Sequence, residues 1–170
     1  YDVDERTVYA EGERRGPAAD FQAALDLATG DIMVPLADDD RLPPHALARA
    51  AQLIGDKEWL CARTVLVNPD GIPVALRGGT KDACEMTRRG QYMLGGAIFW
   101  RKSLTDRIGG FKSEFDGAAD FDLYLRFLNE SEPALSKEIL YVYEAHNDTD
   151  SARNAERQAD ASQRIAARAA

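Results

Sequence analysis

Residues 31–44 read DIMVPLADDDRLPP, an apolar run that passes directly into three consecutive aspartates and then a pair of prolines. The run from Ile32 to Leu36 has the length and composition of a buried strand. Helical periodicity precedes it from Pro17 to Ala28 and follows it from Pro43 to Gly55. A buried strand between helices predicts an α/β fold, with a mixed, mostly parallel sheet flanked by helices.

The chain beyond this unit continues to alternate. The turn sequence Asn68-Pro69-Asp70-Gly71 separates two apolar runs and predicts a β-hairpin. Polar residues 77–93 fit either a loop that closes over a ligand or a helix. Further elements are predicted as a strand in the segment 95–100, helices over 101–110 and 120–130, and a last strand over 139–146. We take residues 1–150 as one domain and residues 151–170 as a surface helix or tail.

The composition bounds the class of protein. The 170 residues, 45% hydrophobic and 29% charged, suit one globular domain. A net charge of −8 argues against a nucleic-acid-binding surface but allows a phosphorylated ligand held through a cation. No run approaches the ~20 apolar residues of a membrane-spanning helix, and two cysteines are too few for a disulfide framework. We therefore expect a cytoplasmic protein, and peripheral attachment to a membrane stays open.

Three adjacent carboxylates, Asp38, Asp39 and Asp40, end the predicted strand. Because like charges repel, a fold that holds them together commonly offsets the cost with a cation. Mg²⁺ and Mn²⁺ take oxygen ligands, often one or two carboxylates together with substrate phosphates. In an open α/β sheet the ligand site also lies outside the carboxyl ends of the strands. The alternative is a solvated acidic turn, in which Asp40 caps the helix that begins near Pro43.

A second acidic segment, GGFKSEFDGAADFDLYLRF, occupies residues 109–127. Asp120 and Asp122 stand at the start of its predicted helix, where carboxylates cap free amides and are favoured by the helix dipole. Capping alone explains them structurally. The functional interpretation is that one of them is a general base that accepts a proton from a hydroxyl nucleophile.

In chain order, the segments ATGDIMVPLADDDRLPPHAL (28–47), LGGAIFWRKSLTDRIGGF (94–111) and ADFDLYLRF (119–127) resemble the family 2 glycosyltransferases of the GT-A fold. The resemblance spans residues 17–130. It implies a GT-A-like, Rossmann-related fold. The family begins with a nucleotide-binding βαβα unit that has no counterpart before Tyr9, so the resemblance implies an N-terminally incomplete domain. The missing unit would come from a further segment or from a partner chain.

The resemblance also implies a metal site. In the family, the acidic motif contacts the ribose of the sugar nucleotide and coordinates a divalent metal that bridges the diphosphate. By this correspondence Asp39 is a metal ligand, Asp38 is directed to the ribose or the metal, and Asp40 belongs to the donor site, while Ala37 replaces the family's first aspartate. The implied cofactor is Mn²⁺ or Mg²⁺. His146 is implied as a second metal ligand, with an exposed loop histidine as the alternative.

The remaining candidates surround the sugar-transfer chemistry. Asp120 occupies the position of the family's catalytic base, and Asp122 is a donor-site candidate beside it. Gly95 and Gly96 would let backbone approach the donor, or they form a tight turn before a strand. Arg88 would cover the diphosphate, or it is a solvated surface charge.

The function implied is metal-dependent transfer of a sugar, with inversion, from a nucleotide-sugar donor to an acceptor hydroxyl. The acceptor would be a saccharide, a lipid-linked molecule or another hydroxyl compound. The alternative is a non-catalytic binding or scaffold module that keeps the fold, for which Ala37 and Ala119 are the evidence because the family often has acids there.

Overall fold

Helices and strands alternate through the computed structural model, which describes residues 7–10, 16–146 and 155–169. The helices are α1 (Pro17–Leu27), α2 (Ala46–Leu53), α3 (Lys81–Arg88), α4 (Lys102–Ile108), α5 (Ala119–Glu130) and α6 (Ala155–Ala169), with a 3-10 turn at Ser113–Phe115. The strands are β1 (Ile32–Met33), β2 (Trp59–Val67), β3 (Pro73–Gly78), β4 (Ile98–Arg101) and β5 (Ala134–Glu144). The α/β class expected from the sequence is confirmed.

Strand β2 is the centre of a five-stranded mixed sheet. It pairs antiparallel with β3 and β4 and parallel with β5, while β1 pairs antiparallel with β4. A mixed sheet is confirmed, but the expectation that it is mostly parallel is wrong. The physical reason is connection length, since the short turn between β2 and β3 permits only antiparallel pairing. The chain between β2 and β5 includes α3, α4 and α5, which gives enough length for a parallel crossover.

The predicted hairpin between β2 and β3 is confirmed. The side-chain oxygen of Asn68 accepts hydrogen bonds from the backbone N–H groups of Asp70 and Ile72, at 3.1 and 2.8 Å. This Asx-type turn reverses the chain within a few residues. Residues 77–93, for which a loop and a helix were both expected, contain α3. The hydroxyl of Thr80 caps this helix by accepting a 3.2 Å hydrogen bond from the N–H of Ala83.

The sheet has an apolar layer on each face. Because side chains alternate along β2, Trp59 and Cys61 pack with α1, α3, α4 and α5, whereas Leu60 and Ala62 pack with α2 and β5. The β2–β5 pairing is the longest in the sheet, and it places β5 beside the central strand. Among the described helices, none combines the length and apolar character needed to cross a bilayer.

Helix α6 lies within the stretch expected to form a surface helix or tail. Its Ala161 and Ile165 are buried against Phe115 and Phe121. Asp116, beside the 3-10 turn, accepts a 3.0 Å hydrogen bond from the backbone N–H of Ala18 at the start of α1. The other carboxylate oxygen of Asp116 lies 2.7 Å from the guanidinium of Arg157 on α6. This buried contact surface, the Arg157–Asp116 ion pair and a second ion pair between Arg168 and Glu114 therefore hold α6 to the segment that leads into α5.

Candidate functional site

The acidic segment after β1 is fastened to the end of β5. Arg41 and Val142 form an isolated antiparallel bridge, with N–H to carbonyl distances of 3.0 and 2.8 Å in the two directions. A salt bridge of 2.7 Å between Arg41 and Glu144 adds to it. The turn that contains Asp38, Asp39 and Asp40, here called the aspartate turn, follows a strand of only two residues. These contacts nevertheless hold it at a defined place beside the carboxyl end of β5.

Asp40 is the member of the acidic cluster that the fold uses structurally. One carboxylate oxygen accepts a 2.7 Å hydrogen bond from the hydroxyl of Tyr141, and the other accepts a 3.1 Å bond from the N–H of Glu144. Burial raises the pKa of Asp40, and these two hydrogen bonds partly oppose the increase. Both oxygens are engaged by β5, so Asp40 orients the turn; its predicted contact with a donor stays a prediction.

Asp39 lies beside His146. Its Oδ2 is 3.4 Å from Nε2 of the imidazole, and both side chains are about one-third exposed, at 31% each. Asp38 lies on the exposed side of the same turn. The structure therefore brings together the two residues that the resemblance implies as metal ligands, although they are far apart in sequence.

The donor set at Asp39 and His146 fits a divalent ion that completes its coordination with phosphate oxygens and water. A carboxylate and an imidazole are suitable ligands for Mn²⁺, and Mg²⁺ is often bound through only one or two carboxylates. Within residues 7–10, 16–146 and 155–169, no three His, Cys, Asp or Glu side chains are placed to hold a metal ion by themselves.

Asp120 begins helix α5 and is half-buried. Its Oδ2 accepts a 2.7 Å hydrogen bond from the hydroxyl of Tyr92. Burial raises the pKa of Asp120, and the bond from Tyr92, backbone N–H groups including that of Phe121, and the charge of Arg77 oppose the increase. A half-buried carboxylate with a raised pKa is the kind of group that serves as a general base near neutral pH.

Gly95 and Gly96 lie between these two acidic groups. A methyl group added at Gly96 would be 2.6 Å from the ring of Tyr141, the residue that holds Asp40. The carbonyl of Gly95 is 3.3 Å from the hydroxyl of Tyr92, the residue that holds Asp120. Only glycine permits this close packing at position 96. The two glycines are thus explained by packing, and they connect the aspartate turn to the start of α5.

Two sequence-derived candidates lie in other interactions. Asp122 is buried and pairs at 2.9 Å with Arg126, whose guanidinium donates to the carbonyls of residues 108–110. Arg88 donates to the carbonyl of Leu128 and pairs with Glu132 at 2.5 Å. Asp122 therefore stabilises the turn after α4, and Arg88 joins α3 to α5; neither is brought to the Asp39 or Asp120 groups.

The sequence did not predict the contacts that three residues of this region make with the two acidic groups. Tyr141 orients Asp40, Tyr92 holds Asp120, and Arg77 is close enough to Asp120 to lower its pKa. The alternating pattern of the last strand contained a signal for Tyr141, because alternate residues of a strand share one face. Nothing local indicated Tyr92 or Arg77, since their neighbours come from distant parts of the chain.

The chain has the fold of a glycosyltransferase. It superimposes on part of a structure of TarS 1–349 from S. aureus, a staphylococcal wall teichoic acid glycosyltransferase, with a TM-score of 0.58 and 18% identity over 76% of this chain. A second TarS structure gives a TM-score of 0.56 and 18% identity over 82% of this chain. Identity at this level shows the fold alone, and it confirms the glycosyltransferase-like fold that the resemblance implies.

The chain spans 40% and 26% of the lengths of these two TarS chains. No family profile matches it, and no curated protein matches it in sequence. Membership of glycosyltransferase family 2 therefore stays a prediction.

Proposed function

We propose that this chain is part of a metal-dependent glycosyltransferase that moves a sugar from a nucleotide-sugar donor to an acceptor hydroxyl, with inversion. The fold it shares with TarS supports sugar transfer as the class of reaction. The finer assignment depends on the site, and one observation carries it. Gly95 and Gly96 connect the Asp39–Asp40 turn to Asp120, through Tyr141 on one side and Tyr92 on the other.

Asp39 and His146 would hold the divalent ion. When bound there, Mn²⁺ or Mg²⁺ supplies stabilisation of the negative charge that develops on a departing nucleoside diphosphate. The protein would fix the positions of these two ligands through two contacts between the turn and β5. These are the hydrogen bond of Asp40 with Tyr141 and the bridge between Arg41 and Val142. Asp38 is exposed on the same turn, where its side chain would be accessible to a donor ribose.

Asp120 would remove the proton from the acceptor hydroxyl. Tyr92 donates to Oδ2 and orients the carboxylate that the acceptor hydroxyl would approach. Burial raises the pKa of Asp120, which makes it a stronger base than an exposed aspartate. A base fixed in this way can be aligned opposite the leaving group, as an inverting transfer requires.

The test is a screen of nucleotide-sugar donors on the full-length protein with Mn²⁺ and Mg²⁺, following release of the nucleoside diphosphate. We expect metal-dependent turnover, reduced on the order of 100-fold or more by Asp120→Asn, which removes the base without changing its shape. Asp39→Asn should raise the metal concentration required. The matched control is Asp56→Asn, which changes an exposed aspartate outside the site.

The same screen separates the two functions considered from the sequence. Turnover that survives both Asp39→Asn and Asp120→Asn would contradict the proposed roles. Donor binding that depends on metal but is never followed by turnover, even in the unsubstituted protein, would favour a binding module.

A further inference from the structure

The two cysteines of the chain, which the site described above does not use, lie against each other. Cys61 is on the central strand β2 and Cys84 is in α3, and both are free thiols buried in the same apolar layer. The thiol of Cys61 donates a hydrogen bond to the sulfur of Cys84. The fold thus brings two positions that are distant in sequence into direct contact through their sulfur atoms.

The backbone at the start of α3 fixes the position of each thiol. The N–H of Gly79 donates to Sγ of Cys61 at 3.2 Å, and the N–H of Cys84 donates to the carbonyl of Thr80 at 3.3 Å. Gly79 and Thr80 are consecutive, so one short stretch of chain holds both cysteines. The contact between the thiols is therefore set by the way in which β3 passes into α3 beside the central strand.

The two thiols differ in acidity. The hydrogen bond from Cys61 lowers the pKa of Cys84, burial opposes this effect, and the charge of Arg88, one turn further along α3, lowers the pKa again. The same hydrogen bond, together with burial, raises the pKa of Cys61 well above its ordinary value. Because the thiolate is the nucleophile, Cys84 is the member of the pair that would react first.

A cavity of about 260 Å³ between β3 and α3 lies next to the pair. Gly78 and Ala83 are among its lining residues. A methyl group added at Gly78 would be 3.4 Å from Sγ of Cys61, and Ala83 directly precedes Cys84. The cavity has room for several molecules of the size of water. A small, uncharged oxidant such as hydrogen peroxide would therefore come within one residue of both sulfurs.

We propose that Cys61 and Cys84 are a redox-active pair that hydrogen peroxide converts to a reversible disulfide between β2 and α3. The thiolate of Cys84 attacks one oxygen of the peroxide, so that an S–O bond forms, the O–O bond breaks, and the leaving hydroxide takes up a proton to become water. Cys61 then loses its proton and attacks the sulfur of Cys84, the S–O bond breaks, and a second water is released. The two thiols lose two electrons, and these reduce the peroxide to water.

The disulfide would join the central strand to the helix that supports Tyr92. The N–H groups of residues 91 and 93 donate to acceptors in α3, at 2.9 and 3.1 Å. Tyr92 lies between them and donates to Asp120. The helix that carries Cys84 therefore holds the side chain that orients the proposed base. An effect of oxidation on sugar transfer would rest on the proposed function, whereas formation of the disulfide does not.

The test is peroxide treatment of the folded, full-length protein, followed by acid quenching, alkylation of the free thiols and peptide mapping by mass spectrometry. Trypsin releases Cys61 in the peptide 58–63 and Cys84 in the peptide 82–88. We expect a cross-linked product of these peptides, lighter than their sum by two hydrogen atoms, that increases with peroxide and disappears when dithiothreitol is added. In Cys61→Ser the sulfenic acid of Cys84 should persist and be trapped by dimedone, whereas in Cys84→Ser the thiol of Cys61 should stay unmodified.

Three results would overturn the proposal. The first is oxidation of Met86, an exposed residue of the peptide 82–88, without any cross-linked product. The second is a cross-link that forms only after the protein is unfolded in urea, and the third is dimedone labelling of Cys61 in Cys84→Ser at the rate seen for Cys84 in Cys61→Ser. The mapping needs no turnover, so a failure to find donor activity would count against the proposed function and leave the redox-active pair standing.

Discussion

The hydroxyl of Tyr92 donates a 2.7 Å hydrogen bond to Oδ2 of Asp120, and the same hydroxyl lies 3.3 Å from the carbonyl of Gly95. Tyr92 is held in turn by ring contacts with Phe121 and Tyr124, at centroid distances of 5.3 and 6.5 Å. The carboxylate of Asp120 is therefore oriented by a side chain that is itself fixed by packing.

Tyr92→Phe should move the acid limb of the pH–kcat/KM profile to higher pH. The lost hydrogen bond lowers the pKa of Asp120, so its removal lets burial raise that pKa further, and a base must be deprotonated to act. The groups that face Asp120 are Tyr92, Tyr124 and Arg77. Tyr124→Phe is the control, because within the described residues its hydroxyl makes no hydrogen bond to Asp120, and an equal shift there would contradict the assignment.

Asp39→Asn and His146→Gln should each weaken Mn²⁺ binding at least about tenfold. Each change removes one of the two proposed ligands, and the described residues offer no third one that would hold the ion by itself. Mn²⁺ electron paramagnetic resonance measures the free ion directly and needs no substrate. Binding that is unaffected by both substitutions would remove the metal from this position.

Gly96→Ala should destabilise the fold by about 1–3 kcal/mol, because the added methyl group would lie 2.6 Å from the ring of Tyr141. Displacing that ring also disturbs its hydrogen bond to Asp40. Urea denaturation gives the free energy of unfolding. Gly30→Ala is the control, since its nearest side-chain contact would be an ordinary 3.7 Å from Met33.

Asp122→Asn should lower the free energy of unfolding by about 3 kcal/mol, because it leaves the largely buried guanidinium of Arg126 without its carboxylate. The comparison is Asp106→Asn, which breaks the more exposed ion pair with Lys102 and should cost less than about 1 kcal/mol. Thermal or chemical unfolding followed by circular dichroism measures both. Equal effects would mean that Asp122 is not the structural residue that its contacts indicate.

Local signals predicted the elements of this fold better than their pairing. The turn at Asn68 and the periodic pattern of residues 120–130 gave a hairpin and a helix that the structure confirms. The predicted strand 32–36 is limited to Ile32–Met33, and Pro35 has no N–H with which to extend the ladder. Strand direction was wrong because the pairings of β2 depend on connections that local patterns do not describe.

The candidate site was predictable only in part, for a similar reason. The approach of Asp39 to His146 was implied by resemblance, and no spacing rule would have placed them together. Tyr141 reaches Asp40 because β5 pairs in parallel register with β2, a long-range relationship. The structural interactions of Asp122 and Arg88 could not be predicted, because a charged residue that completes a structural network looks the same in sequence as one that binds a ligand.

The contacts of Asp116 affect how α1 and α6 unfold locally. Since one carboxylate receives the N–H of Ala18 from α1 and pairs with Arg157 on α6, the first and last described helices share a single anchor. Local unfolding of either helix would break a contact of Asp116, and amide hydrogen exchange measures the free energy of such opening. Only a few residues separate Asp116 from Asp120, so we expect the orientation of the Asp120 side chain to depend on both α1 and α6 staying packed against this segment.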